Sequence, residues 1–369
     1  MNRNVFVYLV FLTLGFSSCE TEAELYPTNL DEDRVASQID FSNSDVKRLY
    51  TDFNMGILFE YNQILDFAYA ASSDSEAAQW GSVEIPQVST LFDNDETGIV
   101  PSENQDDYQT YKNAVVDLLD DNLFKYFKPN TAIAQLMPYK VLVSHSIFTS
   151  RNVPGEASNV IIETESRFSS EATNELRTVY NDHSIVFSVN LDDISDVEKF
   201  AKDNFYILLC RIIGMHNLYD QIPNEFYGVK SNYYGLEIEP VYRDEEGIDE
   251  EKLVFVIDKD WFYEKGFIDS KYFFDSEIGT IYQYYDEDGN YLGVIGRITH
   301  LKAIAPDDEF VNSKEKDVRA YLTEMIHRDA DEILAYPQVV RDNMKILLDV
   351  LTDWGIDILS LNPDLEVLN

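Results

Sequence analysis

Apolar positions along the chain recur at two spacings. Between Asp107 and Phe127, Val115, Val116, Leu118, Leu119 and Leu123 repeat at helical spacing and predict a helix. Ser195 to Tyr219 carries the strongest helical pattern, with Asp192 or Ser195 placed to cap it. Its centre, Phe205 to Met215, is nearly all apolar, which predicts burial on most sides. Lys314–Ala335 and Gln338–Trp354 read as two further helices separated by Pro337. Shorter apolar runs predict strands at Ile57–Tyr61, at Tyr139–Phe148 (YKVLVSHSIF) and at Ser184–Val189 (SIVFSV). Thr280–Lys302 alternates in the manner of a hairpin, with Asp288-Gly289 near its turn. Polar stretches separate these elements. Ser72–Asn104 reads as mostly loop, and Glu237–Glu251 (EIEPVYRDEEGIDEE) as an acidic surface insertion. No internal repeat and no linker forces a second domain, so the expectation is one α+β domain over residues 45–369.

The start of the chain, MNRNVFVYLVFLTLGFSSC, follows another pattern. Arg3 and the amino terminus form a short positive region before the apolar stretch Val5–Phe16. That stretch is too short to span a bilayer, which takes roughly 20 residues, and it suits the core of a signal peptide. Small residues Ser17 and Ser18 precede Cys19. The arrangement resembles a bacterial lipoprotein signal, in which the cysteine is lipidated and becomes the first residue of the mature chain; Phe16 stands where leucine is usual. Glu20, Glu22 and Glu24 resemble the export tags of surface-exposed lipoproteins in some Gram-negative bacteria. The resemblance implies a signal peptide at 1–18, a lipid on Cys19, a flexible acidic tether at 19–44, and a protein anchored in the outer membrane and exposed at the cell surface.

Composition narrows the partners. The chain has 68 acidic against 28 basic side chains, a net charge of −40. Phosphate recognition needs clustered Lys and Arg, so nucleic acid is excluded. With 45% apolar and 13% aromatic residues the chain is no disordered acidic tail. It holds two cysteines, and Cys210 has no partner but the lipidated one, so no disulfide is expected to hold the fold. Tyr282, Tyr284, Tyr285 and Tyr291 have the chemistry to stack on sugars, but such residues more often fill a core.

Most candidate chemistry reduces to ordinary structure. Asp286-Glu287-Asp288-Gly289-Asn290 has the polarity of a calcium loop, yet Tyr291 and Arg297 stand where an EF-hand needs Gly and Glu. His145, His183, His300 and His327 lack a second His or Cys at ligand spacing. Phosphate loops, nucleophile elbows and dinucleotide fingerprints do not occur.

The informative stretch is ILLCRIIGMHNLYDQIPNEF, Ile207–Phe226. With the lipoprotein start, FNMGILFEYN, the strand before the long helix, a later KGFI and the ending WGIDILSL, it resembles the HExxH zinc-binding metallopeptidase-like lipoproteins, also described as substrate import-associated zinc metallohydrolase lipoproteins. The resemblance covers the chain from about Asp52 to its end. It implies a zincin-like domain, a long central helix on a small sheet. It also implies partners at the outer membrane, a TonB-dependent transporter and its surface lipoprotein. In the family two histidines at i and i+4 bind zinc and the intervening Glu activates a water. Counting back from Glu225-Phe226 puts that window on Cys210-Arg211-Ile212-Ile213-Gly214. Cys210 can ligate, but Gly214 has no side chain. Arg211 stands at the base position, where a guanidinium takes no proton and repels Zn²⁺. His216 lies about 200° round the helix from Gly214. The further acidic ligand falls on Asn312 (Asp308–Asn312) or on Ala320 (Lys316–Ala320), with Glu309 or Glu324 as the nearest carboxylates.

The expectation is therefore a family member that has lost the motif. It would have no catalytic residue and no cofactor where the family holds zinc, and would act as an accessory protein binding a peptide or a glycan. The alternative is an active zinc-dependent hydrolase with a rearranged site built on His216 and Asp220 or on Cys210. The bland reading of Cys210 is a small buried residue, and that of Arg211 a residue paired with an acid.

Overall fold

The computed structural model describes residues 34–67, 83–93, 98–149, 161–163, 175–176, 178–181, 183–248, 259–268, 281–285, 291–296 and 313–369. The signal sequence and Cys19 lie outside them. Contacts divide the chain after Gln38, and of the first unit the described part is a short helix, Arg34–Gln38, inside the span expected to be a tether.

The second unit opens with helix α1 (Ser44–Phe53). Asn43 caps it by accepting the backbone N–H groups of Asp45 and Val46, and it buries Val46, Leu49 and Phe53. Asn54, in the left-handed region at φ 53°, ends it. Strand β1 follows at Gly56–Leu58. It stops short of the predicted Tyr61 because Asn62 and Asp66 tie a turn: the Asp66 carboxylate accepts the Asn62 N–H, and the Asn62 side chain accepts the Leu65 N–H. Strand β2 (Val83–Glu84) and a 3₁₀ turn (Val88–Leu91) interrupt the stretch expected to be loop. Helix α2 (Gln105–Asn122) matches its prediction in place and in the burial of Val115, Val116 and Leu119.

The predicted strand Tyr139–Phe148 is two strands in two sheets, β3 (Lys140–Ser144) and β4 (Ile147–Thr149). Ser144 makes the break, its hydroxyl hydrogen-bonded to the carbonyls of Pro86 and Ser146. Strands β5 (Ile161–Glu163), β6 (Glu175–Leu176), β7 (Thr178–Tyr180) and β8 (Ser184–Ser188) complete the two sheets. The main sheet has the order β1-β3-β8-β7-β5. β1, β3 and β8 run parallel, with Val141 opposite Ile185, and β7 and β5 add antiparallel strands. Val141, Leu142, Val143, Ile185, Val186 and Phe187 are all fully buried, as the continuous apolar runs of a two-sided sheet require. The smaller sheet, β2-β4-β6, is antiparallel.

Helix α3 (Val197–Met215) is the strongest predicted element. Its cap is Asp196, which accepts the Lys199 N–H, one residue past the expected Ser195. Twelve of its nineteen residues are buried, charged Asp203 and Arg211 among them. It lies against the main sheet, where Thr178 of β7 donates to Asn204 at 2.6 Å.

The acidic stretch after residue 237 contains helix α4 (Ile238–Glu246), which is no loose insertion. Its Tyr242 is buried with Trp261 and Phe262 of helix α5 (Lys259–Lys265) and with Phe267, while Asp244, Glu245 and Glu246 stay exposed. Burial of one aromatic face holds an acidic helix in place. Strands β9 (Ile281–Tyr285) and β10 (Tyr291–Gly296) pair antiparallel as the predicted hairpin; residues 286–290 lie outside the described part.

The C-terminal region holds helix α6 (Lys314–His327), a short helix Ala330–Leu334, and helix α7 (Gln338–Trp354). The first predicted helix is thus cut in two. Asp329 is the cause, because its side chain and that of Glu332 form a reciprocal capping box that starts a new helix. Pro337 opens α7, as expected.

Candidate functional site

The last turns of α3 (Val197–Met215) carry the window on which the resembled zinc motif was expected to fall. Cys210 is 3% exposed and stands in no disulfide among the described residues. Arg211 is 2% exposed, and its Nε and Nη2 donate to the Asn181 carbonyl at 3.2 and 3.1 Å. Asn181 is itself fixed: its amide donates to the Phe67 carbonyl, and its side-chain oxygen accepts the backbone N–H groups of His183 and Ser184 and the Ser184 hydroxyl. Arg211 therefore pins the helix to the turn between β7 and β8.

Gly214 faces Tyr219. A β-carbon on Gly214 would lie 3.6 Å from the Tyr219 phenol oxygen. The chain reaches this position because α3 ends at Met215, Asn217 takes the left-handed conformation at φ 51°, and Leu218–Gln221 turns back as a 3₁₀ helix. Tyr227 secures the turn by donating to the Tyr219 carbonyl at 2.6 Å. The Tyr219 hydroxyl is buried and takes no hydrogen bond. Burial first, then the neighbouring Cys210 and Glu315, hold its pKa well above the usual phenol range. The aromatic side chain occupies the side of the helix where a second ligand would project.

His216 and Asp220 do not share a helix face. His216 caps the end of α3, Asp220 lies in the following 3₁₀ turn, and both are exposed. The i, i+4 geometry of the rearranged-site alternative needs a continuous helix, which the structure replaces with a turn at Asn217. Ala320 is buried in α6. Glu324 is buried there too, with Oε2 accepting from Arg328 at 2.5 Å and from the Tyr336 hydroxyl at 2.7 Å. Glu309, Asn312 and His300 lie outside the described residues. His327 places Nδ1 2.9 Å from the Thr323 carbonyl and Nε2 3.2 Å from Asp203 of α3, joining the two helices. Lys199 adds a second contact to Asp203 at 2.8 Å. Among the described residues no group of three or more His, Cys, Asp or Glu side chains is arranged to hold a metal ion. One thiol beside a guanidinium and a glycine does not fit zinc.

One buried constellation escaped sequence reasoning. Lys230, in the 3₁₀ turn Gly228–Asn232, places Nζ 2.7 Å from Oδ2 of Asp317 on α6. Each side chain is 1% exposed. The ring centroids of Phe226 and Tyr321 lie 3.6 and 4.5 Å from Nζ, and the Tyr234 hydroxyl donates to the same carboxylate oxygen at 2.7 Å. Burial drives the Lys230 pKa down and the Asp317 pKa up, each against the pull of its partner. The only hint in the sequence is a lysine among closely spaced aromatics (Phe226, Tyr227, Tyr233, Tyr234).

No protein-family model matches the chain, and neither a curated protein nor a solved structure matches it. Among the described residues no helix is long and apolar enough to cross a membrane.

Proposed function

We propose that this protein is a lipid-anchored surface accessory of nutrient import, built on a zincin-like domain whose metal site has been lost. It works beside a TonB-dependent transporter and its surface lipoprotein, and it binds a peptide or a glycan without hydrolysing it. One observation carries the reading: the helix turn that resembles the zinc motif has been rebuilt as packing. Arg211 is committed to a backbone carbonyl, and Tyr219 stands against Gly214. A hydrolase needs an open ligand position for water at its metal, and a guanidinium and a phenol ring supply none. The α+β architecture, with a long buried helix on a mixed sheet, agrees with this reading. The test is hydrolysis of a peptide library by the purified protein, with and without a chelator. The expected result is no protein-dependent cleavage; cleavage that a chelator abolishes would overturn the proposal.

A further inference from the structure

The Lys230–Asp317 pair, each side chain 1% exposed, is more deeply buried than the Arg328–Glu324 and Lys140–Asp66 pairs. Surface pairs such as Lys202–Glu198 leave the carboxylate largely in water. Lys230 and Asp317 lie in an aromatic pocket, with Nζ 2.7 Å from Oδ2 and over the Phe226 and Tyr321 rings, while Oδ1 holds no hydrogen bond. Isolating two charges from water is costly unless their remaining sites are satisfied, and here the carboxylate oxygen Oδ1 is not. The geometry is that of two reactants held together. A contact of 2.7 Å to Oδ2 and a C–O bond of about 1.2 Å place Nζ within ~4 Å of the carboxyl carbon, close to a near-attack distance of about 3.5 Å.

We infer that Lys230 and Asp317 form an intramolecular isopeptide bond, a covalent cross-link between the turn at Gly228–Asn232 and helix α6. The reaction is a condensation that needs no co-reactant. One proton moves from the Nζ ammonium to Oδ2. The freed Nζ lone pair attacks the Asp317 carboxyl carbon and forms the C–N bond. The C–Oδ2 bond then breaks, Oδ2 takes a second proton from Nζ, and it departs as water; Oδ1 remains as the amide oxygen. Tyr234 donates to Oδ2, the leaving oxygen. Burial favours the uncharged amine and the protonated acid, the forms that condense. Amide formation is unfavourable between free molecules in water. Held geometry raises effective concentration to ~10⁵–10⁸ M, and the product replaces two buried charges with a neutral amide. Phe226 and Tyr321 wall the site against returning water.

Mass spectrometry of the denatured, trypsin-digested full-length protein tests this directly. An acylated Lys230 resists cleavage, so the expected product is peptide Ile212–Arg243 joined to Asp317–Arg319 and lighter by one water than the two together. Asp317→Ala is expected to release linear Ile212–Lys230 and Ser231–Arg243. Recovery of those linear peptides from the wild-type protein, with no branched species, would overturn the inference. So would a branched species that persists in Asp317→Ala. The wild-type digest decides the matter by itself if that variant fails to fold.

Discussion

The phenol oxygen of Tyr219 lies 3.6 Å from the place a β-carbon would take on Gly214. An alanine there makes ordinary contact and relieves the helix of a glycine, so Gly214→Ala is expected to stabilise the protein by about 0.5 kcal/mol. A histidine, the residue a zinc helix would carry, has to displace the tyrosine. Gly214→His is expected to destabilise by about 2 kcal/mol, as overpacking does, and Tyr219→Ala in the same chain should recover much of the loss. Thermal melting of these three variants and of Tyr219→Ala alone checks this. Additive effects of Gly214→His and Tyr219→Ala would show that the two residues do not compete for one space.

Arg211 reads as a positioning residue of the fold. Removing its guanidinium leaves the buried Asn181 carbonyl without its two donors, so Arg211→Met is expected to cost about 2 kcal/mol. Lysine lacks the planar fork, and Arg211→Lys should recover only part of this. Chemical denaturation measures both; an unchanged midpoint for Arg211→Met would remove the anchor from the account.

Asp203 joins α3 to α6 through His327 and should make that junction sensitive to acid. Burial pushes its carboxyl up, and hydrogen bonds from His327 and Lys199 outweigh the burial, so it titrates below its ordinary range. A carboxylate with a depressed folded-state pKa adds stability above its unfolded pKa and loses it as pH falls through the folded one. Asp203→Asn is therefore expected to cost about 2 kcal/mol at neutral pH. The difference should shrink as pH falls below the normal carboxylate range and through the depressed folded-state pKa, where the wild-type group is itself protonated. Melting curves of both proteins across the acid range test the sign: a difference that grows on acidification would contradict it.

Gly355 ends α7 at φ +94°, and a β-carbon there would come within 2.6 Å of the Thr131 methyl. The turn also docks on the loop after α2, since the Gly355 carbonyl accepts the Lys128 N–H and the Asp357 N–H donates to Tyr126. Gly355→Ala combines backbone strain with a clash and is expected to cost about 2 kcal/mol. A melting temperature equal to wild type would contradict it.

Much of this was legible in the residues. The run Phe205–Met215 predicted a helix buried on most sides because it is nearly all apolar, and SIVFSV predicted a strand. Other features depend on side-chain bonds that periodicity does not see. Ser144 splits one apolar run into two strands, and the Asp329–Glu332 box divides a helix that reads as continuous. At the site, the want of a second ligand and of a base was plain from Gly214 and Arg211, the residues that fall on the resembled motif. The packing around them was not: Tyr219 returns through the left-handed Asn217, Arg211 donates to the Asn181 carbonyl, and Lys230 meets Asp317 from a distant part of the chain.

The central claim is that the Cys210–Gly214 window of α3 builds no metal site. Its most direct test is the zinc content of purified residues 20–369, by elemental analysis after exposure to Zn²⁺ and extensive dialysis. The account predicts near-zero metal. One tightly held zinc per chain would contradict it and would require a ligand set other than the Cys210–Gly214 window.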